Sequence, residues 1–189
     1  KFANIDTKNY ECYINNIYSE CLKDINECIN FELNKAQKNK DLENARNEFI
    51  DFALSKKGLV TFNLRSSTFY AENRKSLRNV NPITYRGVIK HLNDENYSIC
   101  FTHSPGQELL KFLNENHIPF KIYGDRNAKS EFMNLLSLIN CKFLVGSSTG
   151  ASIIPLMANI PVYWTNSILP HWIPLKNNDV VIWKKYFFE

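Results

Sequence analysis

The chain has 189 residues, of which 44% are hydrophobic and 22% are charged. These proportions are those of an ordinary soluble globular protein, and they exclude a disordered or collagen-like chain. The net charge of +4 is smaller than that of dedicated nucleic-acid-binding proteins, although it would suit an anionic ligand. The first residues, Lys1-Phe2-Ala3, include no Met and no signal sequence, so we expect the chain to be cut from something longer.

The five cysteines do not form a recognisable metal site. There is no CxxC pair, and no His lies at zinc-finger spacing from two cysteines. The pattern is typical of buried free thiols in a reducing compartment. No stretch approaches the ~20 apolar residues that a transmembrane helix needs. We therefore expect a cytoplasmic protein without a transmembrane segment, and a peripheral contact with the inner face of the membrane stays open.

The first part of the chain predicts two helices. Between residues 9 and 31, apolar side chains recur every three or four positions, which gives one stripe along a helix. A second stripe runs from Leu42 to Phe52, with Gly58 predicted as its C-cap glycine. We expect residues 1–57 to form a helical hairpin or appendage and residues 58–189 to form a second domain. The oligomeric state stays open, because the first helix would pack equally well on a partner chain.

After Gly58, short apolar runs alternate with helical periods. The predicted strands are residues 59–64, 97–102, 120–123, 142–145, 162–165 and 179–183. Four helices are predicted between them, opened by Asn81-Pro82, centred on Leu109 to Leu113, capped by Ser130, and running from Ile153 to Met157. In the first of these helices, Val88 is predicted to face the core. The alternation predicts an α/β, Rossmann-like parallel sheet covered by helices on both faces, with ligands at the carboxyl ends of its strands.

The segment Gly146-Ser147-Ser148-Thr149-Gly150 stands between a predicted strand and a predicted helix. Its glycines permit tight turning of the backbone, and its three hydroxyl groups can donate hydrogen bonds. Together with the N–H groups of the following helix, it predicts a cradle for an anion such as the phosphates of a nucleotide. It is neither a Walker loop nor a GxGxxG turn, and an ordinary polar turn capped by Ser and Thr explains it equally well.

Arg65 follows the first predicted strand, in the segment Asn63-Leu64-Arg65-Ser66-Ser67. An Arg at the carboxyl end of a strand points into the crevice of such a sheet, where its planar guanidinium can bind phosphate oxygens through two hydrogen bonds. Arg78 and Asn79 add positive charge and polarity shortly before the next helix. The alternative for this stretch is a solvated basic loop.

His103 follows the second long predicted strand, again at a carboxyl end. A His at this place could bind a base, a sugar hydroxyl or a phosphate, or act as a general base. The alternative is a loop His without a role in binding.

Four blocks of the chain, in order, carry a family pattern: residues 61–70 (TFNLRSSTFY), 78–92, 130–166 and 179–187 (DVVIWKKYF). They resemble bacterial surface-polysaccharide glycosyltransferases, which are distantly similar to the fucosyltransferase-like branch of the GT-B fold. The resemblance covers most of residues 58–189 and almost none of the first 57. Asn63 stands where that family has a His.

The resemblance implies that the chain contains the C-terminal, donor-binding lobe of such an enzyme. Arg65 would be the catalytic residue, because it would hold the donor diphosphate and stabilise charge on the departing nucleotide. Ser147, Ser148, Thr149 and Gly150 would line the same phosphates. The full predicted donor site comprises Arg65, Ser66, Arg78, Asn79, His103, Gly146, Ser147, Ser148, Thr149 and Gly150. Such enzymes need no metal, and the sequence offers neither an acidic pair at metal spacing nor a DxD motif.

The leading hypothesis is a metal-independent glycosyltransferase, or its donor-binding lobe, that moves a sugar from a nucleotide sugar to a surface glycan. It needs no cofactor besides this substrate and no nucleic-acid partner. Two alternatives stay open: a non-catalytic nucleotide-sugar-binding or scaffold module of the same fold, and a sugar-nucleotide epimerase or hydrolase.

Overall fold

The structure, a computed structural model, describes residues 38–65, 79–124, 127–147, 149–167 and 179–184, together with six helical positions between residues 23 and 34. The helices are α1 (Lys40–Leu54), α2 (Arg86–Asp94), α3 (Gln107–Glu115), α4 (Ala128–Ile139) and α5 (Ile153–Met157), with 3₁₀ turns at Pro82–Tyr85 and Gly150–Ser152. The strands are β1 (Leu59–Asn63), β2 (Ser98–Phe101), β3 (Phe120–Ile122), β4 (Phe143–Gly146), β5 (Val162–Ser167) and β6 (Val180–Trp183).

The six strands form one parallel sheet in the order β3-β2-β1-β4-β5-β6. This is the doubly wound order in which the chain first builds one half of the sheet outward from β1 and then returns to build the other half from β4. The predicted α/β, Rossmann-like fold class is therefore confirmed.

Two apolar cores cover the two faces of the sheet, because successive side chains of a strand point to opposite sides. In β1, Val60 and Phe62 pack with residues of α2 and α3, whereas Leu59 packs with residues of α1, α4 and α5. All five residues of β1 are buried, as expected for a central strand with helices on both sides.

Helix α1 shares its core with the sheet. Asn39 caps it, with its side-chain oxygen accepting hydrogen bonds from the backbone N–H groups of Asp41 and Leu42. Its buried face, which includes Ala45 and Phe49, packs against α4 and lies in the same apolar cluster as β1 and β4. The predicted boundary at residues 57/58 stays a prediction, but the helix immediately before it contributes to the core of the sheet.

Three local predictions from the sequence are wrong. Helix α1 ends at Leu54, and Gly58 is not its cap but turns the chain into β1 with a φ of +154°. Helix α4 is capped by Asn127, whose side chain accepts a hydrogen bond from the backbone N–H of Ser130. Val88 is 43% exposed and does not face the core. The side chains with which α2 packs on the sheet are those of Ile89 and Leu92, which are buried.

Cys100 and Cys141 are free and buried, as the spacing predicted. Burial raises the pKa of the Cys100 thiol to about 11, so it stays protonated and unreactive at neutral pH. The other three cysteines lie outside the described residues. Among the helices that the structure describes, none is long and apolar enough to cross a bilayer.

Truncation of Phe49 tests whether α1 belongs to the core of the sheet. Phe49 is fully packed, so Phe49→Ala should lower the free energy of unfolding by about 3–5 kcal/mol, measured by urea denaturation. Leu54→Ala is the matched control, because this side chain on the same helix is 77% exposed and its loss should change stability by less than about 0.5 kcal/mol. An unchanged unfolding midpoint for Phe49→Ala would mean that α1 folds apart from the sheet.

Candidate functional site

The candidate site lies at the carboxyl ends of β1 and β4. These strands are neighbours in the middle of the sheet, and the connections that leave them run in opposite directions. In doubly wound sheets, ligands bind in the crevice at this switch point. The register pairs Asn63 with Gly146, so the last residues of both strands stand side by side at the crevice.

Asn63 links three strand ends through its side chain and backbone. Its amide nitrogen donates a hydrogen bond to Thr149 Oγ1, and its Oδ1 lies 3.0 Å from Thr102 Oγ1 at the end of β2. Its carbonyl oxygen accepts a hydrogen bond from the backbone N–H of Ser147, after β4. The sequence analysis did not select Asn63 as a site residue. The signal for it was an amide side chain at the end of the run Leu59–Asn63, which is predicted to be a buried strand.

Gly146 lets β4 approach Asn63 closely. A Cβ atom on Gly146 would stand 3.2 Å from the carbonyl oxygen of Asn63 and 3.4 Å from Ser152 Oγ. A side chain would therefore crowd both the β1–β4 pairing and the turn that follows β4.

The turn after β4 is held by hydrogen bonds between its own residues. Ser152 Oγ donates to the carbonyl oxygen of Ser147 and lies 3.4 Å from Thr149 Oγ1. Ser147 Oγ is fully buried and has no hydrogen-bond partner among the described residues. Gly150 is exposed, and a Cβ atom there would meet no neighbour, so it is not required by packing.

The turn departs from the predicted anion cradle in one respect. The helix after it begins as a 3₁₀ turn, and α5 has only five residues. A helix of this length sums few peptide dipoles, so its N-terminus adds little to anion binding. Hydrogen bonds from side chains would have to do most of the binding at this turn.

His103 is held by hydrogen bonds on both sides of its ring. Nδ1 lies 2.9 Å from Thr102 Oγ1, and Nε2 lies 2.7 Å from the carbonyl oxygen of Leu64. Because a carbonyl oxygen cannot donate, Nε2 must carry a hydrogen, and in the neutral ring Nδ1 can then only accept. Nδ1 therefore shares the single proton of Thr102 with Asn63 Oδ1. Burial lowers the pKa of His103 and favours this neutral form. Both nitrogens thus face protein groups, and Nε2 holds the segment after β2 against the segment after β1.

Gly124, which the sequence analysis also missed, allows His103 to approach the end of β3. A Cβ atom on Gly124 would lie 2.3 Å from His103 Cα and 2.8 Å from the carbonyl oxygen of Thr102, which is closer than real atoms approach. Any larger residue would have to displace the segment that carries His103.

Arg65 is buried, with 8% of its surface exposed, and lies directly after β1. Its carbonyl oxygen accepts a hydrogen bond from the backbone N–H of Val80, which places Asn79 beside it. The carbonyl oxygen of Asn79 accepts a hydrogen bond from Lys184 Nζ at 3.0 Å. The fold therefore brings the predicted Arg65 and Asn79 together and adds Lys184, the residue after β6, as a second cation.

A second series of hydrogen bonds, from residues of β5 and from Tyr85, fixes the end of β4. Asn166 Nδ2 donates to Tyr85 Oη, which lies 2.6 Å from Thr165 Oγ1, and Thr165 donates to the carbonyl oxygen of Gly146. Since the proton of Thr165 goes to Gly146, Tyr85 donates to Thr165. Burial raises the pKa of Tyr85, so the phenol keeps the proton that it donates to Thr165.

Of the ten predicted site residues, the structure places seven at the carboxyl edge of the sheet. They are Arg65, Asn79, His103, Gly146, Ser147, Thr149 and Gly150. Ser66, Arg78 and Ser148 lie outside the described residues, so their roles stay predictions.

The buried His103 gives a prediction for stability against pH. Its pKa in the folded state lies below the unfolded value of 6.5, so below that pH the unfolded chain binds more protons than the folded chain and stability falls. Urea unfolding at pH 7.5 and 5.5 should therefore show a larger loss of stability for the wild type than for His103→Gln, which cannot titrate. Equal losses in both proteins would mean that His103 is protonated in the folded state as readily as in the unfolded chain.

Neither a protein-family model nor a curated protein sequence matches the chain. Among solved structures, the chain is similar to E. coli heptosyltransferase WaaC with ADP-2-deoxy-2-fluoro heptose, at 14% sequence identity and a TM-score of 0.44. The match covers 65% of this chain and 36% of that enzyme, so the chain spans about a third of the length of the enzyme that it matches. The likeness is too low to say anything about activity, and it gives no support to the fucosyltransferase-like branch. The fold class depends instead on the order and direction of the six strands.

Proposed function

We propose that this chain is the donor-binding lobe of a metal-independent glycosyltransferase that moves a sugar from a nucleotide sugar to a surface glycan. The observation that carries the proposal is the hydroxyl of Ser147, which is fully buried at the switch point and has no hydrogen-bond partner among the described residues. A buried polar atom without a hydrogen bond costs about 1–3 kcal/mol, and a bound water, ion or ligand removes that cost by supplying the partner.

The neighbours of Ser147 suit the diphosphate of a nucleotide sugar. Thr149 Oγ1 already accepts a hydrogen bond from Asn63, and its own proton is engaged only in the long contact of 3.4 Å to Ser152 Oγ, from which it can turn to an anionic oxygen. Arg65 supplies a buried positive charge at the same edge of the sheet. A fixed cation and hydroxyl donors around a departing nucleotide diphosphate stabilise the charge that develops as the bond to the sugar breaks. This set of groups would replace a metal ion.

The remaining predicted site residues would complete the donor site. Asn79, beside Arg65, and Gly146, beside Asn63, have positions that suit this role, and Ser66, Arg78 and Ser148 would contact the same donor. His103 would act by holding the segment after β2, since both of its ring nitrogens face protein groups.

A non-catalytic role in binding a nucleotide sugar is the second candidate, and one observation favours it. Asn63 stands where the resembling family has His, and a neutral amide cannot accept a proton from an acceptor hydroxyl. The general base would then come from another lobe or another chain.

Comparison of sugar transfer with donor hydrolysis by the intact gene product distinguishes transfer from the hydrolase alternative.

Ser147→Ala tests the observation on which the proposal depends. The variant should fold at least as stably as the wild type, because the oxygen that it loses has no hydrogen-bond partner among the described residues, but it should bind the nucleotide about 5-fold more weakly. Calorimetric titration with UDP, GDP, CMP and ADP measures this. Ser137→Ala is the control, since this hydroxyl bonds within α4 and lies away from the crevice, so its loss should leave affinity unchanged. Ser147→Ala with full affinity would contradict the proposed site, and no heat from any nucleotide with a folded sample would contradict the function.

Arg65→Ala removes the proposed diphosphate contact. Affinity for the nucleotide that binds should fall by about 2 kcal/mol or more, because a charged hydrogen bond is lost. Arg65→Lys keeps the charge but not the planar guanidinium, and we expect intermediate affinity from it. The titrations are repeated with EDTA, which should change nothing if binding is independent of metal. Unchanged affinity in Arg65→Ala, with the fold checked by circular dichroism, would remove Arg65 from the site.

A further inference from the structure

A second cavity lies at the opposite edge of the sheet, where the strands begin. It has a volume of about 460 Å³ and lies between α1, the end of α4 and the start of β1. This volume is within the range of small-molecule sites, roughly 300–1,000 Å³. Its apolar lining includes Phe49, Leu59 and Leu136, which are buried, and Ile50 and Ile139, which are half-buried. We call this cavity the amino-edge cleft.

All charged side chains that line the amino-edge cleft are positive: Arg46, Lys56, Lys57 and Lys142. Lys57 forms a salt bridge with Glu95 at 3.3 Å, and Lys56 Nζ lies 3.4 Å from Asn93 Oδ1. Arg46 and Lys142 form no salt bridge within the part of the chain that the structure describes. An apolar cavity edged by two cations without counter-charges is complementary to a ligand that has an apolar part and an anionic group.

The methylene groups of Lys142 lie against the backbone at Gly58. A Cβ atom added to Gly58 would stand only 2.6 Å from Lys142 Cγ. Gly58 thus leaves room for the stem of Lys142 to cross the backbone at the start of β1. Lys142 as a whole is exposed.

Leu54, at the end of α1, also lines the cleft and is 77% exposed. Lys56 and Lys57 follow it after one residue, Ser55. An exposed apolar side chain beside several lysines is the combination with which proteins bind the interface of an anionic bilayer, where the apolar group enters the acyl region and the lysines meet the phosphates. A free amphiphile in solution would not need Leu54 to be exposed.

We propose that the amino-edge cleft binds an anionic phospholipid of a membrane surface, with an acyl chain against Phe49 and Ile139 and the phosphate between Arg46 and Lys142. This inference does not depend on the proposed function. The cleft and Asn63 are at opposite ends of β1, roughly 13 Å apart along the strand. The crevice at the carboxyl edge therefore faces away from the bilayer when the cleft is occupied.

Co-sedimentation of the full chain with vesicles tests the proposal. The wild type should bind vesicles of phosphatidylcholine mixed with phosphatidylglycerol and not vesicles of phosphatidylcholine alone. Arg46→Gln/Lys142→Gln should bind the anionic vesicles roughly 30-fold more weakly, because each basic residue near such a surface strengthens binding. The control is Lys90→Gln/Lys129→Gln, which removes the same charge from exposed positions on α2 and at the start of α4 and should bind like the wild type.

A second pair of variants tests the apolar part. Leu54→Asn should weaken binding to anionic vesicles, whereas Val88→Asn, an exposed apolar position on the opposite face of the sheet, should not. Both sites are exposed, so neither change should alter the unfolding midpoint. Equal vesicle binding by the charge variant and its control, or no binding by the wild type, would overturn the proposal. Binding of soluble dodecyl phosphate without vesicle binding would overturn the membrane as the source of the ligand.

Discussion

The pairing of β1 with β4 is the contact on which the rest of the described structure depends. It joins the two halves of the sheet, and it is close at its carboxyl end because Gly146 has no side chain, where a Cβ atom would approach the carbonyl oxygen of Asn63 to 3.2 Å. The same close approach lets Ser147 donate its backbone N–H to that carbonyl group. The geometry that completes the fold therefore also places Asn63, Ser147 and Thr149 together.

The polar residues around this contact act as supports for one another. His103 joins the segment after β2 to the segment after β1, and the absence of a side chain on Gly124 lets β3 end against it. On the other side, Tyr85 and Thr165 fix the carbonyl group of Gly146. Within the described edge of the sheet, these internal bonds leave Ser147 Oγ, like Ser167 Oγ at the end of β5, without a hydrogen-bond partner. This contrast makes Ser147, rather than His103, the residue to examine first for ligand binding.

The sequence alone was sufficient for the class of fold, because buried strands of a parallel sheet are short continuous apolar runs separated by helical periods. It was not sufficient where two nearby residues are equally good N-caps. Asn127 and Ser130 can both cap α4, and in the structure Asn127 is the cap, because its side chain accepts the hydrogen bond from the backbone N–H of Ser130. The pairing of β1 with β4 also cannot be recognised from a local sequence pattern, since the paired residues are about 80 positions apart in the chain. For that reason Arg65 and Thr149 could be predicted as strand-end residues, while the central position of Asn63 could not.

The uniform direction of the strands separates the two proposed sites. In a parallel sheet, every strand contributes its carboxyl end to one edge and its amino end to the other, so no single strand can bring the two sets of side chains together. Asn63 and Ser147 lie at one edge, and Gly58 and Lys142 at the other. A change at the amino edge can reach the carboxyl edge only through β1 and β4, whose buried residues are closely packed. Nucleotide binding and lipid binding are therefore expected to be lost independently, and a variant that loses both would indicate damage to the sheet itself.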